Sequence, residues 1–216
     1  LKEIVKFINS TDNLIDIGCD HALLDIYLVQ NNIIDNCYVS DSNDKALENA
    51  ILNIKKYKLT KVIKPILADG LSAIENDEID TVVISGLGSH TIIDILKNKS
   101  KLKNISKIII QSNNNHYFLR KSLSKIGFYI KDESVVLDNH KYYITMLLKR
   151  GYQKYNYQDL LYGPILKIKK TNLSYFKYLK DSYLKVIKLM PRKKLITYYR
   201  LKYKIYLLNK IIKGLQ

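Results

Sequence analysis

The sequence predicts an α/β fold: a doubly wound, seven-stranded and mostly parallel sheet, followed by a small α-helical domain. Three observations carry that expectation. Strand-like and helix-like segments alternate through the first 150 residues. The last two strand-like segments follow one another across a short turn. Beyond Gly151 the apolar spacing becomes helical.

Short apolar runs mark seven strands: Leu14–Gly18, Cys37–Asp41, Val62–Leu67, Asp80–Ser85, Lys107–Gln111, Phe128–Leu137 and Tyr142–Lys149. Between the early ones lie Ala22–Gln30, Asp44–Tyr57, Thr91–Lys97 and Tyr117–Ile126, whose apolar residues recur at three- and four-residue steps. Alternation of this kind needs crossover connections, hence a parallel sheet with both faces covered. The turn around Asp138–His140 joins the last two strands as a hairpin, so the sheet should end with one antiparallel strand. From Leu173, apolar residues fall at Phe176, Leu179, Tyr183, Val186 and Met190, and Pro191 breaks the run. A second helix is expected from about Lys193, with Leu195, Tyr198, Leu201, Ile205, Leu208 and Ile212 on one side. Two such helices read as an antiparallel, coiled-coil-like hairpin, its tyrosine-rich stripe packed as core. The expected domains are residues 1–150 and 151–216.

Composition narrows the class. The chain has 216 residues, 47% hydrophobic and 26% charged, enough to bury a core. No segment reaches the roughly 18 uninterrupted apolar residues of a membrane span. The start, Leu1 to Ser10, does not read as a signal peptide, and Leu at position 1 suggests a slightly truncated or renumbered start. Two cysteines, Cys19 and Cys37, are too few for a disulfide framework and point to the cytoplasm. Neither they nor the four histidines show metal-ligand spacing. Charge is distributed unevenly: residues 1–150 hold 20 basic and 18 acidic side chains, residues 151–216 hold 16 and 2. A basic tail of this kind favours a polyanion partner over a merely solvated helix face.

A doubly wound sheet binds its ligand at the carboxyl ends of its strands. Those ends read Asp16-Ile17-Gly18-Cys19-Asp20-His21, then Asp41, then Asp69-Gly70, then Ser85-Gly86-Leu87-Gly88-Ser89, then Gln111-Ser112-Asn113. A dinucleotide would need a glycine-rich first turn to cradle its pyrophosphate. Here Gly18 stands alone and Asp20 would repel phosphate. S-adenosylmethionine carries no phosphate, and its groups suit the acids: Asp20 for the amino-acid end, Asp41 for the ribose hydroxyls, Asp69 for the adenine amine. Helix capping by Asp explains any one of these acids, but not the missing glycines.

These motifs resemble the TrmK family of bacterial tRNA (adenine-22-N1)-methyltransferases. The family's DIGSDHA-type motif is similar to Asp16-Ile17-Gly18-Cys19-Asp20-His21-Ala22, and its Asp-Gly-Leu to Asp69-Gly70-Leu71. Its Gly-Met-Gly-Gly resembles Gly86-Leu87-Gly88-Ser89, its Leu-Gln-Pro-Asn resembles Ile110-Gln111-Ser112-Asn113, and its Phe-Gly-Pro-Leu-Leu resembles Tyr162-Gly163-Pro164-Ile165-Leu166. The likeness spans nearly the whole chain in order. Departures are Leu87, Ser89, Ser112 and Asp25, which stand for Met, Gly, Pro and Pro; the acid usual in the final hairpin has no match around Tyr143-Ile144.

The resemblance implies a class I (Rossmann-like) methyltransferase fold and methylation of adenine N1 in the D-arm of tRNA. It implies cofactor binding by Asp16, Gly18, Asp20, Asp41, Asp69, Gly70, Gly86 and Gly88, with Asp20, His21 and Asn113 at the chemistry. His90, His116 and His140 read as loop residues. The expected partner is tRNA, bound by a monomer without metal or membrane. The alternatives are another RNA substrate for the same fold, or a catalytically silent RNA-binding protein.

Overall fold

A computed structural model describes residues 1–74, 77–191 and 194–216. The chain divides into two compact units, Leu1–Lys154 and Tyr155–Gln216. In the first, the elements run α1 (Lys2–Val5), β1 (Leu14–Ile17), α2 (Leu23–Gln30), β2 (Cys37–Asp41), α3 (Asp44–Lys56), β3 (Ile63–Leu67), β4 (Thr81–Leu87), α4 (Ser89–Ile95), β5 (Lys107–Ser112), α5 (His116–Leu123), β6 (Phe128–Asp138) and β7 (Lys141–Arg150). The second holds α6 (Tyr157–Tyr162), α7 (Leu173–Leu189) and α8 (Leu195–Leu215). The expected helix start at Lys193 lies outside the described residues.

The seven strands form one sheet in the order β3-β2-β1-β4-β5-β7-β6. β1 to β5 are parallel neighbours, and β7 runs antiparallel to both β5 and β6. The antiparallel strand is therefore last in the chain but lies inside the sheet, with β6 at the edge. The strand order reverses between β1 and β4, and the crevice beyond their carboxyl ends is where such sheets take ligands. All four residues of β1 are buried, because helices cover both faces of this central strand. Asp16 is among them, level with Val39 of β2 and Val83 of β4.

Charges taken into this unit are partnered. Arg120 of α5 meets Glu133 of β6 at 2.8 Å, both fully out of water. Lys107 of β5 pairs with Asp12 and donates to the Phe7 carbonyl at 3.2 Å. Glu133 is thus a buried acid of the final hairpin, on β6 rather than beside Tyr143.

In the second unit a capping box joins Asn156 and Asp159 at the start of α6. Tyr162 is buried, donates its hydroxyl to the Lys204 carbonyl at 2.9 Å, and meets Phe176 edge to face. The stripe expected as core is core in part: Phe176, Ile205, Leu208 and Ile212 are buried and Tyr183 and Tyr198 half-buried, but Val186 and Leu195 are exposed. α8 buries Ile205, Leu207, Leu208, Ile211, Ile212 and Leu215, all in its second half, while Tyr199, Tyr203 and Tyr206 are exposed. Among the described residues, no helix is long and apolar enough to cross a membrane.

Candidate functional site

The crevice at the strand ends is built by three turns. Past β1 the chain passes through left-handed conformations at Gly18 (φ 77°), Asp20 (φ 49°) and Ala22 (φ 52°) before α2 begins. At Gly18 a side chain would also press on Leu87: an added Cβ would lie 3.3 Å from its methyl. This tight turn places the Asp20 N–H 3.3 Å from Asp41 Oδ2, across to the end of β2. Asp41 Oδ1 accepts from the Asn43 N–H at 2.9 Å, and Asn43 in turn caps α3. One carboxylate is thereby held from two sides by backbone donors, with a second lone pair left on each oxygen.

A cavity of about 410 Å³ opens over these turns, lined among others by Gly18, Asp20, Asp41, Asp69, Gly70 and Gly86. That volume falls within the roughly 300–1,000 Å³ of small-molecule sites. A second cavity, about 230 Å³, shares Asp20, Ser85 and Gly86 with the first and adds Asp16 and His21. His21 lies 3.5 Å from the Asp20 carboxylate, and both side chains are about half exposed or more. Asp16 is buried and its Oδ1 has no hydrogen-bond partner. Burial and neighbouring Asp41 push its carboxyl up to about 7. The Cys19 thiol beside it is pushed up by burial and by Asp16.

The opposite wall is the turn after β4. Gly86 adopts φ 76°, and no atom lies within 4 Å of where its Cβ would be. Its N–H donates to Gln111 Oε1 at 3.0 Å, and its carbonyl accepts from the Asn113 side-chain amide. Asn114 Oδ1 accepts the Ser89 N–H at 3.1 Å, and Asn115 caps α5. Eight expected site residues, Asp16, Gly18, Asp20, His21, Asp41, Asp69, Gly70 and Gly86, therefore gather on the two cavities. Asn113 and Gly88 stand behind the Gly86 wall; Gly88 precedes α4 and faces the Asn114 amide.

Gln111 and Asn114 had been given no role from sequence. Their signal was position alone, directly at and after a strand end. Two histidines also differ from expectation. His90 lies in α4 and stacks on Phe118 at 4.2 Å. His116 begins α5, is held at 3.1 Å from the Ser112 carbonyl, and burial lowers its pKa to about 4. His140 is in the hairpin turn as expected. Among the described residues, no group of three or more His, Cys, Asp or Glu side chains could hold a metal ion.

A sheet of this order, with acids closing its first three strands and no phosphate-cradling glycine turn, is that of a Rossmann-like methyltransferase; the methyltransferase domain family matches residues 1–146. The likeness to particular solved structures extends over both units. M. capricolum TrmK, solved with S-adenosyl-homocysteine, is 32% identical with a TM-score of 0.84, covering 100% of this chain and 97% of that one. A Streptococcus pneumoniae protein solved with S-adenosyl-L-methionine is 26% identical with a TM-score of 0.86, covering 98% and 97%. The Bacillus subtilis (strain 168) tRNA (adenine(22)-N(1))-methyltransferase is 28% identical over 173 residues, 77% of this chain and 73% of that protein. The chain belongs to the TrmK family.

Proposed function

We propose that this chain transfers the methyl group of S-adenosyl-L-methionine to N1 of adenine 22 in tRNA, the reaction named for its Bacillus subtilis relative. The observation that carries the reading is Asp41. Its carboxylate is fixed by the N–H groups of Asp20 and Asn43 at the mouth of a crevice whose first turn holds a single glycine, with lone pairs to spare for a vicinal diol. Asp69 offers an acceptor to the adenine amine. The Asp16 oxygen that lacks a partner, together with exposed Asp20, suits an ammonium group. Bound there, the cofactor supplies a methyl group on positively charged sulfur.

Adenine N1 has an in-plane lone pair, so methylation there requires no proton to leave the base. The chain must instead extrude the base, orient it and tolerate the positive charge it acquires. Gly86 lets a flat base approach its backbone, and Gln111 and Asn113 hold that backbone in place beforehand. Asn113 retains a second amide hydrogen for the base. Asp20, with His21 beside it, places negative charge near the methylated ring. The basic helices of residues 151–216 supply affinity through phosphate contacts. The same reading makes the protein a monomer that works in the cytoplasm without a metal.

The test is transfer of labelled methyl groups to unmodified tRNA transcripts carrying A or G at position 22. Incorporation with A alone, mapped as N1-methyladenosine, is the expected result. Incorporation that ignores position 22 would move the substrate elsewhere on RNA. Cofactor binding without transfer to any RNA would leave a silent binding protein.

A further inference from the structure

Behind the second cavity lies a pair of acids that the reading above leaves unexplained. Asp25, in the first turn of α2, is 0% exposed, and Asp16 of β1 is 3% exposed. The two carboxyls are near enough that each shifts the other's titration. Asp25 Oδ1 lies 3.7 Å from the Cys37 thiol, while Asp25 Oδ2 and Asp16 Oδ1 have no partner. Acids in the first turn of a helix ordinarily face water, where they offset the positive end of the dipole. This one has been drawn inward onto another carboxyl.

Two ionised carboxylates close together and out of water repel each other strongly, so one keeps its proton, as acid pairs generally do. Burial raises both groups: Asp16 to about 7, and Asp25 well above its ordinary range. Their interaction lowers Asp16 and raises Asp25, so Asp25 is the acid that keeps the proton. Among the described residues, the neighbouring groups that shift the pair are an acid and a thiol, not cations. Asp41 of β2 adds negative charge; Cys37 of β2 and Cys19 after β1 are thiols held neutral by burial. Across the cavity stand Asp20 and His21. Asp16 alone of the pair lines that cavity, so a ligand reaches Asp25 only through it.

We propose that Asp25 is a proton store behind the cofactor site: the Asp16–Asp25 pair holds one proton in the free protein and gives it to solvent when a cationic group settles against Asp16. The inference rests on the reading of the crevice as an S-adenosylmethionine site. The O–H bond of Asp25 breaks, its proton passes to water or buffer, and the entering ammonium balances the second negative charge. Affinity for a cationic ligand then rises with pH, by at most about tenfold per pH unit for one proton, until the free pair itself loses that proton. A nucleoside lacking the amino-acid tail shows no such dependence.

The experiment is calorimetric titration of the full chain with S-adenosyl-homocysteine at pH 7, in two buffers of different ionisation enthalpy. The expected result is release of a substantial fraction of one proton, and far less with adenosine. With Asp25→Asn the ligand still binds, and the release falls by at least half. His21→Ala removes the imidazole that lines the same cavity and should keep the release; this control stands even if the Asp25→Asn variant does not fold. Binding of S-adenosyl-homocysteine without proton release overturns the proposal, as does release that survives Asp25→Asn or vanishes with His21→Ala. Failure of S-adenosyl-homocysteine to bind at all removes the cofactor reading, and this inference with it.

Discussion

The two units treat charge in opposite ways. In Leu1–Lys154 charged groups are drawn out of water and given specific partners: Arg120 with Glu133, Lys107 with Asp12, and Asp25 with Asp16. In Tyr155–Gln216, the largely buried Lys167–Asp159 pair apart, the charges mostly stay in water. Lysines there lie over tyrosine rings, Lys202 over Tyr198, Lys204 over Tyr183 and Lys210 over Tyr206, at 4.6 to 5.5 Å. Partnered, desolvated charge fixes atoms to within a bond length and resists salt. Solvated charge acts over a Debye length and is screened by salt. The first kind suits a site that must orient a small molecule, the second a surface that gathers a polyanion.

The largest expected effect follows from the second kind. If residues 151–216 make six or more phosphate contacts, tRNA affinity should fall by about 10³-fold or more between 50 and 200 mM salt. Binding of S-adenosyl-homocysteine should change less than about twofold over the same range, since its contacts are short and partly buried. Parallel titrations of the two ligands would check this. Equal salt dependence would break the division between the units.

The next effect belongs to the first kind. Arg120→Ala removes one member of a fully buried ion pair and strands Glu133 without its charge partner. Loss of about 3–5 kcal/mol of stability is expected, as for broken buried pairs in general. Denaturant unfolding would measure it. A loss below about 1 kcal/mol would mean that this pair behaves like a surface one. Asp41→Ala comes third. It removes the acceptor held by the Asp20 and Asn43 backbone, and cofactor affinity should fall by about 2–3 kcal/mol, the worth of hydrogen bonds to a charged group. Calorimetry showing unchanged affinity would take Asp41 out of the ribose role.

The same contrast explains what could be read beforehand. The strands of the first unit were legible because runs such as Lys107–Gln111 and Cys37–Asp41 are apolar and β-branched, and the observed bounds differ by a residue or two. Their polar ends located the crevice, because a parallel sheet puts every such end on one side. Contacts made across the crevice were not legible. Asn113, Asn114 and Asn115 are identical neighbours, yet one holds the Gly86 carbonyl, one the Ser89 N–H and one caps α5. Asp25 was visible only as an acid where the family has Pro; nothing local says that a first-turn acid points inward. Helix α1 is too short for a period, yet Leu1 and Ile4 line the second cavity. In the second unit, spacing showed which face of α8 is apolar but not how far along it packing extends, so Tyr198, which is only partly buried, looked equivalent to buried Ile205.

The smallest effect separates two buried titrating groups of the first unit by sign. His116 has a folded pKa lowered to about 4 by burial, so its contribution to stability is complete above the unfolded value and is lost as pH falls from about 6.5 toward 4. The Asp16–Asp25 pair has raised values, so its contribution is complete below about 4 and is lost as pH rises through about 7 and beyond. Between about pH 4 and 6.5 the two slopes oppose each other. Above about 6.5 His116 is neutral in both states and the pair alone remains, so the ligand-free protein should lose stability as pH rises further. Thermal unfolding across that window, with Asp25→Asn beside the wild type, would check it. The substitution should flatten the slope, because the amide it introduces donates to Asp16 and has no proton to lose. A wild-type slope of zero would mean that the pair is already ionised, and the first unit would then hold an uncompensated charge that its packing gives no means to stabilise.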